Sequence, residues 1–138
     1  KHIAEKFASN YYMQFSLGID FTARDLQQKC KEKGLPWEIA KSFENSAPIS
    51  TKWIDINDTD LTDLHFTLKK NGEIVQKGHT ADMLFNINQL ISYVSRFMTL
   101  KTGDLIYTGT PSGVGPVFVG DTLEGFIGEE KMFEFKVK

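Results

Sequence analysis

Asp20 stands inside the apolar run "GIDFTARDLQQK", four residues before Arg24 and seven before Gln27. An aspartate in that setting is either a surface carboxylate between two elements or a group that holds something. Lys41 raises the same question in "IAKSFENSAPIS", where Ile39, Ala40 and Phe43 flank it. A lysine among such neighbours is costly to bury unless it meets a carboxylate or a ligand anion. The bland alternative is that its stem lies along apolar surface while the ammonium reaches solvent. A third feature is the loop Thr108 to Pro116, "TGTPSGVGP", with three glycines. It is not a phosphate-binding loop, because Gly-Lys-Ser/Thr is absent and Pro111 removes a donor from the cradle. Its backbone N–H groups could still address a carboxylate, or the segment could be only a turn that ends a strand.

Other chemistries find less support. His65 and His79 fall at the two ends of a hairpin and read as structural or solvated, and His2 is near the terminus. No H-x-x-x-H pair or comparable spacing exists, which speaks against a histidine-rich zinc site. No serine lies in a G-x-S-x-G elbow.

The elements that must position these residues follow from periodicity. Ile3, Phe7 and Tyr11 recur every four residues and predict a short helix with one buried face. "FSLGIDFT" alternates as a strand, with Leu17, Ile19 and Phe21 on one face and Gly18, Asp20 and Thr22 on the other. The small Gly18 and Thr22 would leave room above Asp20. Thr22 reads as an N-cap, with Asp25 completing a capping-box analogue, for a helix over about 23–33 that buries Ala23, Leu26 and Cys30. That helix stops at Gly34, with Pro36 behind it, and Arg24 and Gln27 share a side of its first turn. "HFTLKKNGEIVQKG" is a hairpin turning at Asn71-Gly72. Asn86 caps a second helix whose apolar stripe is Ile87, Leu90, Ile91, Val94 and Met98. "DLIYTGT" reads as a strand, and "DTLEGFI" and "KMFEFKV" as two more joined around Gly128.

Composition narrows the class. A chain of 138 residues with a 41 % apolar share and eleven Phe is one folded domain rather than a disordered segment. A net charge of −2 with both signs interspersed gives no footprint for nucleic acid or an anionic membrane. The apolar runs are too short to span a bilayer. The single cysteine, Cys30, excludes an internal disulfide framework and a cysteine metal cluster. It fits a reducing compartment, the cytoplasm or, in a eukaryote, the mitochondrial matrix.

Taken in order, "DFTARDLQ", "GLPWEIAKSFENSAP", "NGEIVQKGHTADMLF" and "LISYVSRFMTLKTGDLIYTGTPSGVGPV" resemble the fumarylacetoacetate hydrolase family. The resemblance is greatest to its short members, of acylpyruvase and oxaloacetate decarboxylase type. It runs from about Leu17 to the end of the chain, and "TGTPSGVG" with "DFTARDLQ" makes it specific.

The resemblance implies an α+β, mostly β fold, a mixed β-roll with peripheral helices. It implies Mg²⁺ or Mn²⁺ held by three carboxylates, of which Asp20 is one and an upstream Glu-x-Glu supplies two. It places Arg24, Gln27, Lys41 and Thr110 around a small 2-oxo or 1,3-dicarbonyl acid. Lys41 and Gln27 would donate where negative charge develops, and Arg24 would orient a carboxylate with its planar fork. The implied reaction is acylpyruvate hydrolysis or oxaloacetate decarboxylation. Alternatives are an isomerase or decarboxylase of 2-hydroxyhepta-2,4-diene-1,7-dioate type, and a non-catalytic module that binds a 2-oxo acid or a partner.

The chain departs from the family in one respect. It contains neither a Glu-x-Glu nor the His-Glu pair of the family's lid, and it begins at Lys1 rather than Met. Residues 1–138 are therefore expected to be the C-terminal major part of a single catalytic domain. A homodimer is expected too, because Phe15, Phe97 and Phe118 offer more aromatic surface than a small domain readily buries.

Overall fold

In the computed structural model, which describes residues 1–138, the chain runs β1 (Gln14–Phe15), α1 (Arg24–Lys33), α2 (Glu38–Lys41), β2 (Ile54–Asp55), β3 (His65–Lys70), β4 (Glu73–His79), α3 (Ile87–Phe97), β5 (Thr122–Ile127) and β6 (Glu130–Lys136). Short 3₁₀ turns precede β1, follow β2 and follow β4. β4, β3, β5 and β6 form one antiparallel sheet in that order, and β1 pairs with β2 in a second, two-stranded one. This is the mostly β architecture with peripheral helices that the sequence implied. No helix is long and apolar enough to cross a membrane.

The central hairpin forms because Asn71 and Gly72 both take positive φ, 54° and 85°. A two-residue type I′ turn requires that pair of conformations to match the twist of its strands. Within the sheet, glycine faces an aromatic ring at two paired positions. Gly78 lies opposite Phe66 and Gly125 opposite Phe133. A Cβ on either glycine would stand 2.2 or 2.3 Å from the facing ring. Each ring lies flat across the backbone where no side chain competes. Leu123 and Met132 are buried on this sheet, and the Ser50 hydroxyl donates to the Met132 carbonyl at 2.5 Å.

A second core joins the N-terminus to α3. Ile3, Ala8 and Ile91 are buried together, with Tyr12, Ile87, Leu100 and Ile106 around them. His2 and Ile3 donate backbone N–H groups to the Ser95 carbonyl and hydroxyl at 2.8 and 2.9 Å. α3 starts on a full capping box: Asn86 Oδ1 accepts from Gln89 N at 2.8 Å, and Gln89 Oε1 accepts from Asn86 N at 3.0 Å.

Several expectations need correction. The N-terminal helix is a 3₁₀ segment, Glu5–Tyr11, in which Phe7 and Tyr11 are 52 % and 64 % exposed. With about three residues per turn, a four-residue spacing no longer lines up on one face. "FSLGIDFT" is extended but not a regular strand. Beyond Phe15, which pairs with Ile54 in β1, its one bridge is Gly18 to Ile49, with Ile19 N and Phe21 N donating to Pro48 O and Ser46 O. Pro48 has no N–H to return a bond, so the ladder breaks there. α1 is capped at Ala23 without a side-chain bond, and the Thr22 hydroxyl points to other partners. Met98 follows α3 in an extended conformation, 64 % exposed, and leaves the stripe. "DLIYTGT" forms no strand: none of its residues pairs in a sheet, and Gly103 before it and Gly109 within it take positive φ (94° and 140°).

Asn86→Ala removes one half of the capping box and leaves the other without its partner. It should lower stability by about 1 kcal/mol in urea unfolding, while Asn86→Asp should retain most of it.

Candidate active site

The extended 16–22 segment, α2 and the 100–117 loop enclose a cavity of about 1710 Å³. Asp20, Arg24, Lys41 and Thr110 line it. Gln27 does not; its Oε1 accepts from Arg24 Nη1 at 2.9 Å, so it reaches the cavity only through the guanidinium. Four of the five residues singled out in the sequence thus line one cavity, and the fifth stands behind one of them.

Lys41 is brought to Asp20 by a helical hairpin. α1 ends where Gly34 turns left-handed at φ 63°, and Leu35 N closes back on Cys30 O at 2.8 Å. Only glycine adopts that conformation readily, and Pro36 then prevents the helix from continuing. The chain re-enters a single turn, α2, whose Ala40 is fully buried and whose carbonyl accepts from Ala23 N at 3.0 Å. That bond ties the start of α1 to the end of α2. Lys41 Nζ then lies 2.5 Å from Asp20 Oδ2 and donates to Thr22 Oγ1 at 2.8 Å. The two charged side chains keep 30 % and 35 % of their surface exposed. Lys41 therefore neither snorkels away nor lies buried; it is paired at the cavity wall. A pair this exposed contributes about 0–1 kcal/mol to stability. Stability is a poor reason for placing it there.

Gly18 corrects the sequence reading. The room it leaves is filled by Tyr107: a Cβ on Gly18 would lie 2.8 Å from the phenol oxygen and 2.9 Å from the ring. Tyr107 Oη donates to Ala47 O at 2.9 Å. Partial burial, reinforced by the Asp20 charge, raises its pKa above the ordinary phenol value, so it stays a neutral donor at physiological pH. Tyr107 is a site residue the sequence reading missed. It lies in a stretch read as strand, and the unusually small residue at position 18 was the one signal that could have found it.

The 108–116 loop is pinned rather than free. Gln76 on β4 donates its amide to Pro111 O at 2.9 Å, and Lys70 on β3 donates to Pro116 O at 3.1 Å. Gly113, at φ 96°, passes so close to β4 that a Cβ would stand 2.2 Å from Val75 O. The sheet thereby fixes the wall that carries Thr110.

As a divalent-metal centre, the Asp20 site is incomplete within these residues. Asp20 belongs to no cluster of three or more ligating side chains, whereas Mg²⁺ or Mn²⁺ takes about six oxygen ligands. One carboxylate, with Oδ2 already engaged by Lys41, does not make that shell.

Comparison with known proteins gives this geometry its context. The profile described as fumarylacetoacetate (FAA) hydrolase C-terminal matches residues 1–136. The mitochondrial oxaloacetate tautomerase of Mus musculus is 47 % identical over 136 residues, 99 % of this chain and 62 % of that protein. The fumarylpyruvate hydrolase of Pseudomonas aeruginosa, solved in complex with Mn²⁺ and pyruvate, superposes with a TM-score of 0.85 at 35 % identity, over 91 % of this chain and 54 % of that one. The 2-hydroxyhepta-2,4-diene-1,7-dioate isomerase of Mycobacterium marinum gives 0.83 at 34 %, over 96 % and 50 %. The chain spans about three-fifths of the length of the curated relatives it matches.

Gly18→Ala should cost about 1–3 kcal/mol by overpacking against Tyr107. Tyr107→Ala should relieve part of that cost, so a double-mutant cycle by urea unfolding should show a coupling of about 0.5 kcal/mol or more.

Proposed function

The chain belongs to the fumarylacetoacetate hydrolase family, and from that premise we propose that residues 1–138 carry the substrate-binding part of a divalent-metal-dependent enzyme acting on small 2-oxo or 1,3-dicarbonyl acids. The observation that carries this reading is the ammonium of Lys41 fixed between Asp20 and Thr22 on the wall of the main cavity. A fixed cation in a cavity suits a reaction in which negative charge develops on a carbonyl oxygen. Hydrolysis of an acylpyruvate, decarboxylation of oxaloacetate and keto–enol tautomerisation all develop that charge.

Each residue then has a part. Lys41 stabilises the developing oxyanion. Arg24 binds the substrate carboxylate through two parallel N–H groups, and Gln27 holds the guanidinium in register. For Gln27 to donate to substrate directly, its side chain would have to turn in from behind Arg24. Thr110, on the pinned loop, binds the far end of the substrate. Asp20 is one carboxylate ligand of Mg²⁺ or Mn²⁺, and the remaining ligands come from outside residues 1–138. When bound, the ion supplies Lewis-acid polarisation of a substrate carbonyl. On this reading the chain is the C-terminal major part of one catalytic domain.

An isomerase reading has its own support in the relatives named as tautomerase and dienedioate isomerase. It breaks no C–C bond: a proton leaves one position of the substrate and returns at another, through the same kind of enolate. Assembly as a homodimer is part of the proposal, supported by the exposed rings of Phe97 and Phe118; Phe15 is half-buried and contributes less. A location in the mitochondrial matrix, for a eukaryotic protein, is supported by the relatives named as mitochondrial.

The test uses the complete protein with Mg²⁺ or Mn²⁺ and a panel of oxaloacetate, acylpyruvates and dienedioates. Lys41→Met should fold normally and lower kcat about 10²-fold or more on the preferred substrate. Asp20→Asn should behave differently, losing activity at low metal and regaining part of it at high metal. A folded Lys41→Met protein within about threefold of wild type, a barrier change well under 1.4 kcal/mol, would remove Lys41 from the reaction. Inactivity on the whole panel, with small acids still bound, would favour the non-catalytic module.

A further inference from the structure

The open end of the β3–β4 hairpin brings together three side chains that no spacing in the sequence reveals. His65 and His79 stand directly opposite one another. Next to them, Thr80 N donates to Leu64 O at 2.9 Å, while His65 O faces the other way and accepts from Gly128 N at 2.8 Å. His65 and His79 are therefore a non-hydrogen-bonded pair, the register in which facing side chains come closest. Their imidazoles stack with centroids 4.0 Å apart and planes 17° apart. Asp63, from the turn before β3, places Oδ1 2.6 Å from His79 Nε2. One ligand atom from each of the three lies within 4.8 Å of the other two.

We propose that Asp63, His65 and His79 bind a divalent transition-metal ion of the imidazole-preferring kind, with Zn²⁺ as the representative. The donor set is two ring nitrogens and one carboxylate oxygen, with water completing a tetrahedron. Such a set selects against Mg²⁺, which takes oxygen ligands and gives up its water reluctantly. The chemistry thus differs from that proposed at Asp20. In a tetrahedral site with metal–ligand distances of about 2.0–2.1 Å, donor atoms lie roughly 3.3 Å apart. The ligand atoms of Asp63, His65 and His79 lie within 4.8 Å of one another, so the side chains would turn to bring them to that separation. Both histidines are anchored on paired strands, and Asp63, with 70 % of its side chain exposed, already reaches His79 from the turn before β3. Zinc spacing rules cover residues on one helix or one turn; here fourteen positions of hairpin separate the two histidines, and antiparallel pairing removes that separation.

The site would also do structural work. The turn carrying Asp63 is shaped by Asp60, which accepts from Thr62 N and Oγ1 at 2.9 and 2.7 Å. An ion shared with His65 and His79 would fasten that turn to the hairpin end. His79 lines a smaller cavity of about 480 Å³ whose other wall is the Thr108–Ser112 stretch, so the fastening lies next to the loop that carries Thr110.

The test is a titration of the untagged protein with Zn²⁺ in millimolar Mg²⁺, which keeps oxygen-rich sites filled. Histidine ring ¹H–¹⁵N spectra and thermal unfolding are the readouts. The ring signals of His65 and His79 should shift together and saturate at one Zn²⁺ per chain, with His2 unmoved and the unfolding temperature raised. His65→Gln and His79→Gln should each weaken binding about tenfold or more, as loss of a ligand or of its supporting group does. Asp63→Asn should weaken it less, and Asp20→Asn should leave it unchanged. The proposal is overturned if neither ring responds, if only one does, or if both glutamine variants bind Zn²⁺ as wild type does.

Discussion

The contact between Lys41 and Asp20 is what the scaffold of this chain has to position, because the contact cannot hold the chain together. Two side chains each about a third exposed attract one another weakly through water. Fixing a long lysine stem works against that small gain. The scaffold therefore has to hold the pair, and its backbone does so. The left-handed Gly34, the Ala23–Ala40 bond and the tightly buried Cys30 and Ala40 return α2 to the 16–22 segment regardless of which charges sit there. The order of causes runs from apolar packing and backbone bonds to side-chain placement, and only then to charge.

A second constraint recurs at three places. Gly18 faces Tyr107, Gly78 faces Phe66 and Gly125 faces Phe133, each with a separation that forbids even a methyl group. A glycine inside an extended segment ordinarily weakens it by leaving nothing to pack. Here the partner ring supplies the missing contact, so the weakness is offset locally. At Gly78 and Gly125 the result is a ring laid against the backbone of the facing strand. At Gly18 it is a phenol laid along the wall of the cavity, which links this packing device to the site.

Much of the fold was legible because its signals are local. The Asn71-Gly72 turn, the Gly34 stop and the Asn86 cap each depend on neighbours within a few residues, and all three form as read. What was not legible depends on partners far along the chain. The break in the Asp20 segment comes from a missing N–H on Pro48, twenty-eight positions beyond the aspartate. Tyr107 enters the site across almost ninety positions to fill the space at Gly18. The pairing of His65 with His79 is the same lesson in sheet form: the hairpin was read correctly, but the meeting of its two end residues follows from the register, which spacing along the chain does not display. Gln27 shows the converse, since sharing a turn with Arg24 put it near the site without putting it in the cavity.

The geometry at Asp20 also bears on how a half-open site can be selective. A lysine that is free in solution must lose on the order of 2 kcal/mol of rotamer freedom when it grips a ligand. Lys41 has already given up part of that freedom to Asp20 and Thr22, so less remains to be lost on binding. Both partners are acceptors toward it, and an ammonium has three protons. With two committed, one remains to be directed by the other two. Asp20 is similarly divided, with Oδ2 occupied by the lysine and Oδ1 not engaged by it. Each group of the pair thus keeps one bonding direction open, and the partner fixes where that direction points. The contact that adds little to stability is what makes the two groups directional.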